Sequence, residues 1–345
     1  MVDVNRLKEE VIASYREICK ENYRLLVFIV GPPGSGKSTI AEKLKDAINT
    51  SYLDYLKEID RKTLRCENYN HINIDQFVQG IEGETISSAL EDERHENFDS
   101  VENVDFICKK KRLKDGSYTI TGRGGQLNAI KVRQPTSQEK NLEGNTTIAE
   151  VLPMDGFHLS RECLDHFSDP QWAHLRRGSS LTFDSNNFLK LCEIMAKTSR
   201  IFPSIGYDGD DFTAFDAISS SFDCSVPSVE VPGFDHSLKD PQPSQHTISF
   251  KSRIVIFEGL YLLYNKENWS KIYNIVSNSN AKLYYKILAC EDQIEARVAK
   301  RHLKAGLVAS IEDGKDKFRK NDLLNARDIE KNSISSEDII LIRND

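Results

Sequence analysis

Gly31-Pro32-Pro33-Gly34-Ser35-Gly36-Lys37-Ser38-Thr39 is the stretch on which the reading of this chain turns. It fits the spacing GxxxxGK[ST] in full. Its glycines let consecutive backbone N–H groups curl around a phosphate with no Cβ in the way. Lys37 is placed to reach the β- and γ-phosphates, and the Ser38 hydroxyl to ligate Mg²⁺. All nine residues are therefore the expected ATP cradle. A chance glycine turn would lack the flanks seen here. The apolar run Leu25 to Val30 is too short for a buried helix and reads as a buried strand. STIAEKLKDAI follows, with Ile40, Leu44 and Ile48 on one helical face. Strand, glycine loop and helix in that order predict an α/β P-loop NTPase domain with a doubly wound, mostly parallel sheet.

Working outward, residues 3–22 read as an amphipathic helix, with Leu7, Val11, Ile12, Tyr15 and Ile18 recurring among charges. From 51 to 146 the texture turns polar and charge-rich, with a basic run at Lys109–Arg112 and β candidates at Tyr118–Thr121 and Ala129–Val132. That stretch is expected to be an insertion or small subdomain. The motifs all lie outside it, so it is expected to shape the acceptor site or bind a partner without touching ATP. The α/β rhythm resumes with a strand over 146–155 and helices over 160–168 and 186–197. An irregular stretch at 201–229 reads as a surface excursion. Strands are expected at Val229–Val231, Ser252–Phe257, Lys282–Leu288 and 339–343, and helices at 265–277 and 291–304. The division is an N-terminal helix (1–24), a P-loop core (25–50 and 147–345) and the 51–146 insertion.

Two acids end apolar strands. Asp155, in Met154-Asp155-Gly156-Phe157-His158, falls where parallel sheets bind ligands, at a strand's carboxyl end. It could take a proton from an acceptor hydroxyl, ligate magnesium or simply cap the next helix. Gly156 would permit a tight turn, and Phe157 and His158 could wall a pocket. Glu258, in Ile254-Val-Ile-Phe-Glu258-Gly259, is placed to hold magnesium directly or through water; a strand-end Glu can also be merely solvated. Late in the chain, Arg297 and Arg301 are four apart and share a helix face. Such a face can close over the nucleotide as a lid and neutralise the transferring group, or be ordinary surface charge.

Composition narrows the class. With a formal net charge of -7, a general nucleic-acid binder is disfavoured. Seven scattered cysteines with no CxxC pair argue against a disulfide framework or a zinc site. No apolar run reaches bilayer length, and MVDVNRLKEE is no secretory signal. An intracellular, cytoplasmic protein without a transmembrane segment is expected.

With these residues assembled, the chain resembles the uridine kinase, phosphoribulokinase and pantothenate kinase group of P-loop kinases. Within it, the chain most resembles fungal ATP-dependent kinases and bacterial kinases of the nucleoside or sugar type. The strings that carry this are GPPGSGKST, PMDGFHLS, RRGSSLTFDS (176–185), VPGFDHSLKDP (231–241), EGLYLLY (258–264) and RVAKRHLKAGL (297–307). The resemblance implies an ATP-dependent, Mg²⁺-using phosphotransferase acting on a hydroxyl of a small metabolite. Asp155 then matches the catalytic carboxylate, Glu258 the acid near magnesium, and Arg297 and Arg301 the lid arginines. Phe157, His158, Arg177, Asp184, Asp235, His236 and Tyr261 fall in segments that border the acceptor in similar enzymes. The long 51–146 insertion and the 201–229 stretch depart from the family, so the acceptor (nucleoside, sugar or pantothenate-like) does not carry over, and neither does an oligomeric state. A GTPase is disfavoured by the lack of an NKxD segment. An ABC-type ATPase, faintly echoed by Gly122-Arg-Gly-Gly-Gln126, would need a Glu after Asp155, where Gly156 stands. A P-loop ATPase or nucleotide-dependent assembly protein without a small-molecule acceptor is the alternative.

Overall fold

The computed structural model describes residues 2–59, 64, 66–84, 98, 101–142, 146–206 and 212–345. Five strands form the central sheet: β1 (Leu25–Val30), β2 (Ala149–Pro153), β3 (Ile254–Gly259), β4 (Lys282–Leu288) and β5 (Ile339–Arg343). Their spatial order is β5-β4-β1-β3-β2, and every pairing is parallel. β1 and β3 are buried along their whole length, which is why both read as unbroken apolar runs.

Helices cover both faces. On one side α1 (Val4–Ile18) and α2 (Lys37–Glu58) pack through Leu7, Val11, Tyr15, Ile40, Leu44 and Ile48 onto Val27, Ile29 and Ile256. On the other, α3 (Ser185–Ser199) and the helix Trp269–Ser277 pack through Phe188, Leu191 and Trp269 onto Phe28, Phe257 and Tyr284. Phe28 and Phe257 stack at 4.8 Å between ring centroids. Among the described residues no helix is long and apolar enough to cross a membrane.

The polar 51–146 stretch does not stand alone. Its strands Glu82–Glu84, Lys109–Arg112, Tyr118–Thr121 and Ile130–Arg133 join Ser228–Asp235 and Asp240–Ile248 in one six-stranded, mostly antiparallel sheet. The strand expected at Val229–Val231 therefore belongs to this second sheet, its register set by Lys131↔Glu230 and Val132↔Val229. Nor is 201–229 an irregular excursion throughout. It contains the helix Ala214–Ser220, whose Ala217 and Ile218 are fully buried against the α1–α2 side.

Candidate active site

Strand register brings the three predicted centres to one edge. Val30 lies beside Gly259 and Glu258 beside Pro153, so the glycine loop, Glu258 and Asp155 all emerge at the carboxyl ends of β1, β3 and β2. Gly34 and Gly36 adopt positive φ of 77° and 91°, a conformation that favours glycine. α2 starts at Lys37 with no side-chain cap. Its amino-terminal N–H groups therefore point at whatever anion fills the loop.

At the base of this cradle, Ser38 Oγ donates to Glu258 Oε1 at 3.1 Å and Lys37 Nζ lies 3.5 Å from the same oxygen. Glu258 is 6% exposed. Burial pushes its carboxyl above the usual range, Lys37 opposes that, and the nearby Asp155 charge adds to it. A buried carboxylate, a hydroxyl and a second carboxylate close by make a hard-oxygen donor set. Mg²⁺ characteristically takes one or two protein oxygens and keeps the rest for phosphate and water. Ser38 and Glu258 fit that ion, and the Asp155 charge is near enough to push the Glu258 carboxyl up.

Asp155 sits in the short turn Met154–Phe157 that ends β2, and its side chain is 45% exposed. Its capping alternative loses its object, because Ser160 caps the next helix by accepting from Cys163 N. The Asp155 carbonyl accepts from His158 N and lies 2.9 Å from His158 Nδ1. The imidazole is wedged against Phe183 (4.0 Å between centroids) and Phe234 (4.9 Å). Burial lowers the pKa of His158, so the ring is neutral near pH 7. Gly156 is not a positive-φ turn residue. It is small because a Cβ there would stand 2.1 Å from the carbonyl oxygen of Pro232 in the second sheet.

Of the acceptor candidates, His158, Arg177 and His236 gather beside Phe234. Arg177 is held by Asp240 Oδ1 at 2.8 Å and by the carbonyls of Leu159 and Lys239. Asp235 is committed to a hairpin turn, accepting from Ser237 N and Leu238 N. Phe157, Tyr261 and Asp184 are buried and support the wall from behind. Asp184 caps α3 through Asn187 N and accepts from Gly124 N at 2.8 Å.

That last contact exposes residues which sequence reasoning missed. Asn128 donates to the carbonyls of Gly156 (2.8 Å) and His158 (3.0 Å). Arg123 donates to Leu181 O and Phe183 O. The 51–146 stretch thus braces the turn that carries Asp155. The signal was the glycine-rich Gly122–Gly125 segment, whose closeness to Asp184 excludes side chains.

The lid candidates lie on α4 (Glu291–Lys304), which touches the cradle directly: a Cβ at Gly34 would meet Val298 Cγ2 at 2.7 Å. Arg297 donates to Asn344 O at 2.9 Å and to Gln293 Oε1 at 3.0 Å. One helical turn on, His302 faces Asp322 at 3.7 Å. Arg176 binds Asn321 Oδ1 and Asn325 Oδ1, linking this helical region to the acceptor segment.

No family model matches the chain. Curated relatives and a solved structure do. It is 99% identical over 345 residues to ATP-dependent kinase YFH7 of Candida glabrata, covering 100% of both chains. It is 43% identical to ATP-dependent kinase YFH7 of Saccharomyces cerevisiae (strain S288c), again over 100% of each. The crystal structure of YFH7 from Saccharomyces cerevisiae, described there as a candidate P-loop containing kinase with a circular permutation, superposes with a TM-score of 0.87 at 42% identity and full coverage.

Proposed function

The chain belongs to the YFH7 family of ATP-dependent P-loop kinases, and we propose that it transfers the γ-phosphate of ATP to a hydroxyl of a small metabolite. The observation that carries this reading is the position of Asp155. A half-exposed carboxylate stands at the end of β2, close enough to Glu258 to raise that group's pKa, and it caps no helix. A hydroxyl approaching the γ-phosphate must be oriented and must lose its proton as the new bond forms. Asp155 is the group placed to do both.

The remaining residues divide the work. The loop amides and Lys37 hold the phosphates, and Lys37 offsets charge on the transferring group. Ser38 and Glu258 would hold Mg²⁺, which when bound would supply charge neutralisation for the phosphates. Arg297 and Arg301, both on α4, would neutralise the transferring charge when that helix closes over the nucleotide. His158, Phe234, His236 and Arg177 border the acceptor, and the 51–146 stretch shapes its side of the cleft through Asn128. A nucleoside, a sugar and a pantothenate-like acid each offer a hydroxyl to such a carboxylate.

A metabolite-library screen of purified protein tests the proposal by ADP release. One acceptor class should stimulate release well above the basal rate and gain a phosphate ester, seen by mass. ATP turnover that is brisk without any acceptor, and unmoved by every metabolite, would favour a plain ATPase and sink the proposal.

A further inference from the structure

We infer that Asn344 is a positioning residue for the phosphate cradle, fixing the Ser35–Gly36 peptide so that the loop's amides stay free for a nucleotide's β-phosphate. The inference rests on the glycine loop as the nucleotide site, which family membership supports independently.

Asn344 follows β5, and three hydrogen bonds hold it in place. Its N–H donates to Leu288 O at 2.8 Å, its carbonyl accepts from Arg297 at 2.9 Å, and its side-chain Nδ2 donates to Ser35 O at 2.8 Å. The amide also packs against Gly36, where a Cβ would stand 2.5 Å from Nδ2. In a trans peptide the carbonyl and the following N–H point in opposite directions. Tethering Ser35 C=O to Asn344 therefore turns the Gly36 N–H away from Asn344. A second consequence concerns the start of α2. Ser35 O is the acceptor four residues before Thr39, so a helix beginning one residue earlier would use it for Thr39 N–H. Asn344 takes that acceptor instead. The N–H groups of Gly36, Lys37, Ser38 and Thr39 donate to no backbone carbonyl among the described residues, whereas Ile40 N bonds Gly36 O, and of these four the tether accounts for Thr39. Four consecutive donors are left free for an anion.

Besides the tether, Ser35 N donates to Pro32 O at 3.2 Å and Ile40 N to Gly36 O at 3.0 Å, and neither fixes the direction of the Ser35 carbonyl. Gly36 and Gly34 carry positive φ and have no Cβ, so rotation of the intervening peptides meets little steric resistance. Neither neighbour of the loop on α4, Ile294 or Val298, offers a side-chain hydrogen bond in place of the Asn344 amide.

The test compares ligands that do and do not carry a β-phosphate. Dissociation constants for ADP and AMP are measured by calorimetric competition for the wild type, Asn344→Ala and Asn344→Asp. Both substitutions keep the backbone carbonyl that holds Arg297, and Asp matches Asn in size while presenting an oxygen to Ser35 O. Loss of one hydrogen bond predicts ADP weakened about three- to tenfold in Asn344→Ala and further in Asn344→Asp. AMP affinity should hold, and melting temperature should fall by no more than the few degrees that one lost hydrogen bond allows. ADP and AMP weakening by the same factor would make Asn344 a contact to the nucleoside or a mere structural prop, and would overturn the inference. So would unchanged ADP affinity in both variants. A wild type that fails to bind ADP would instead overturn the nucleotide site itself.

Discussion

Gly156→Ala is the substitution that most severely strains the link between the second sheet and the chemistry. The added methyl would lie 2.1 Å from Pro232 O, 2.6 Å from Pro232 C and 3.1 Å from Gly233 Cα. Ordinary carbon contacts begin near 3.5 Å, so one backbone must recede by roughly 1 Å or more. The obstructing atoms are main chain, not a flexible side chain. They belong to the strand Ser228–Asp235, which is paired on both sides, to Asp240–Ile248 and to Ile130–Arg133. Asn128 additionally pins the Gly156 and His158 carbonyls. Overpacking of this kind costs about 1–3 kcal/mol. A catalytic group displaced by about 1 Å loses on the order of 100-fold in rate. The variant should therefore melt lower, bind Mg·ATP nearly as well as wild type and transfer phosphate about 100-fold more slowly. Melting temperature, nucleotide calorimetry and the transfer rate with the acceptor from the screen are the assays. Gly206→Ala is the control, since nothing lies within 4 Å of a Cβ there and its φ is ordinary. If Gly156→Ala matches that control in stability and rate, the second sheet does not position Asp155 and the reasoning fails.

Lys37→Ala removes the charge beside Glu258 and should lower kcat/KM for ATP by about 10²–10³-fold in a folded protein; wild-type turnover would refute its role. Replacing Arg297 and Arg301 by Ala should lower kcat more than it raises the ATP KM, because a lid group acts on the transferring charge. Steady-state constants equal to wild type would make them surface charge. His158 carries a pH signature. Burial holds its folded pKa below the ordinary 6.5, so the unfolded chain takes up that proton first. The stability it contributes is present above the ordinary value and is lost as pH falls through the depressed folded value. His158→Gln should flatten part of the melting-temperature decline between about pH 7 and pH 5, and an unchanged decline would show the ring is not the group responsible.

The cradle was legible in the sequence because its chemistry is local. Nine consecutive residues specify glycine freedom, a lysine and a hydroxyl, and strands such as Leu25–Val30 and Lys282–Leu288 announce themselves by unbroken apolar character. Long-range pairing was less legible. Val229–Val231 reads as apolar wherever it pairs, so period and composition could not tell a strand of the second sheet from one of the first. Gly156 does lie in a short turn, but the backbone that excludes a side chain there lies about 75 positions away in sequence. Asn128 and Asn344 carry no motif. They matter because folding sets one amide against Gly156 O and the other against Ser35 O, and a lone Asn in a polar stretch gives no sign of either.

If Asp155 makes this P-loop protein a kinase for a hydroxyl acceptor, Asp155→Asn should separate nucleotide binding from phosphate transfer. Asn keeps the size and much of the hydrogen bonding but removes the charge and the basicity. The measurement is paired on one preparation: Mg·ATP affinity by calorimetry, and phosphate transfer to the acceptor that the screen identifies. The account predicts near-normal nucleotide affinity with transfer reduced by about 100-fold or more. Near-wild-type transfer by Asp155→Asn would contradict it.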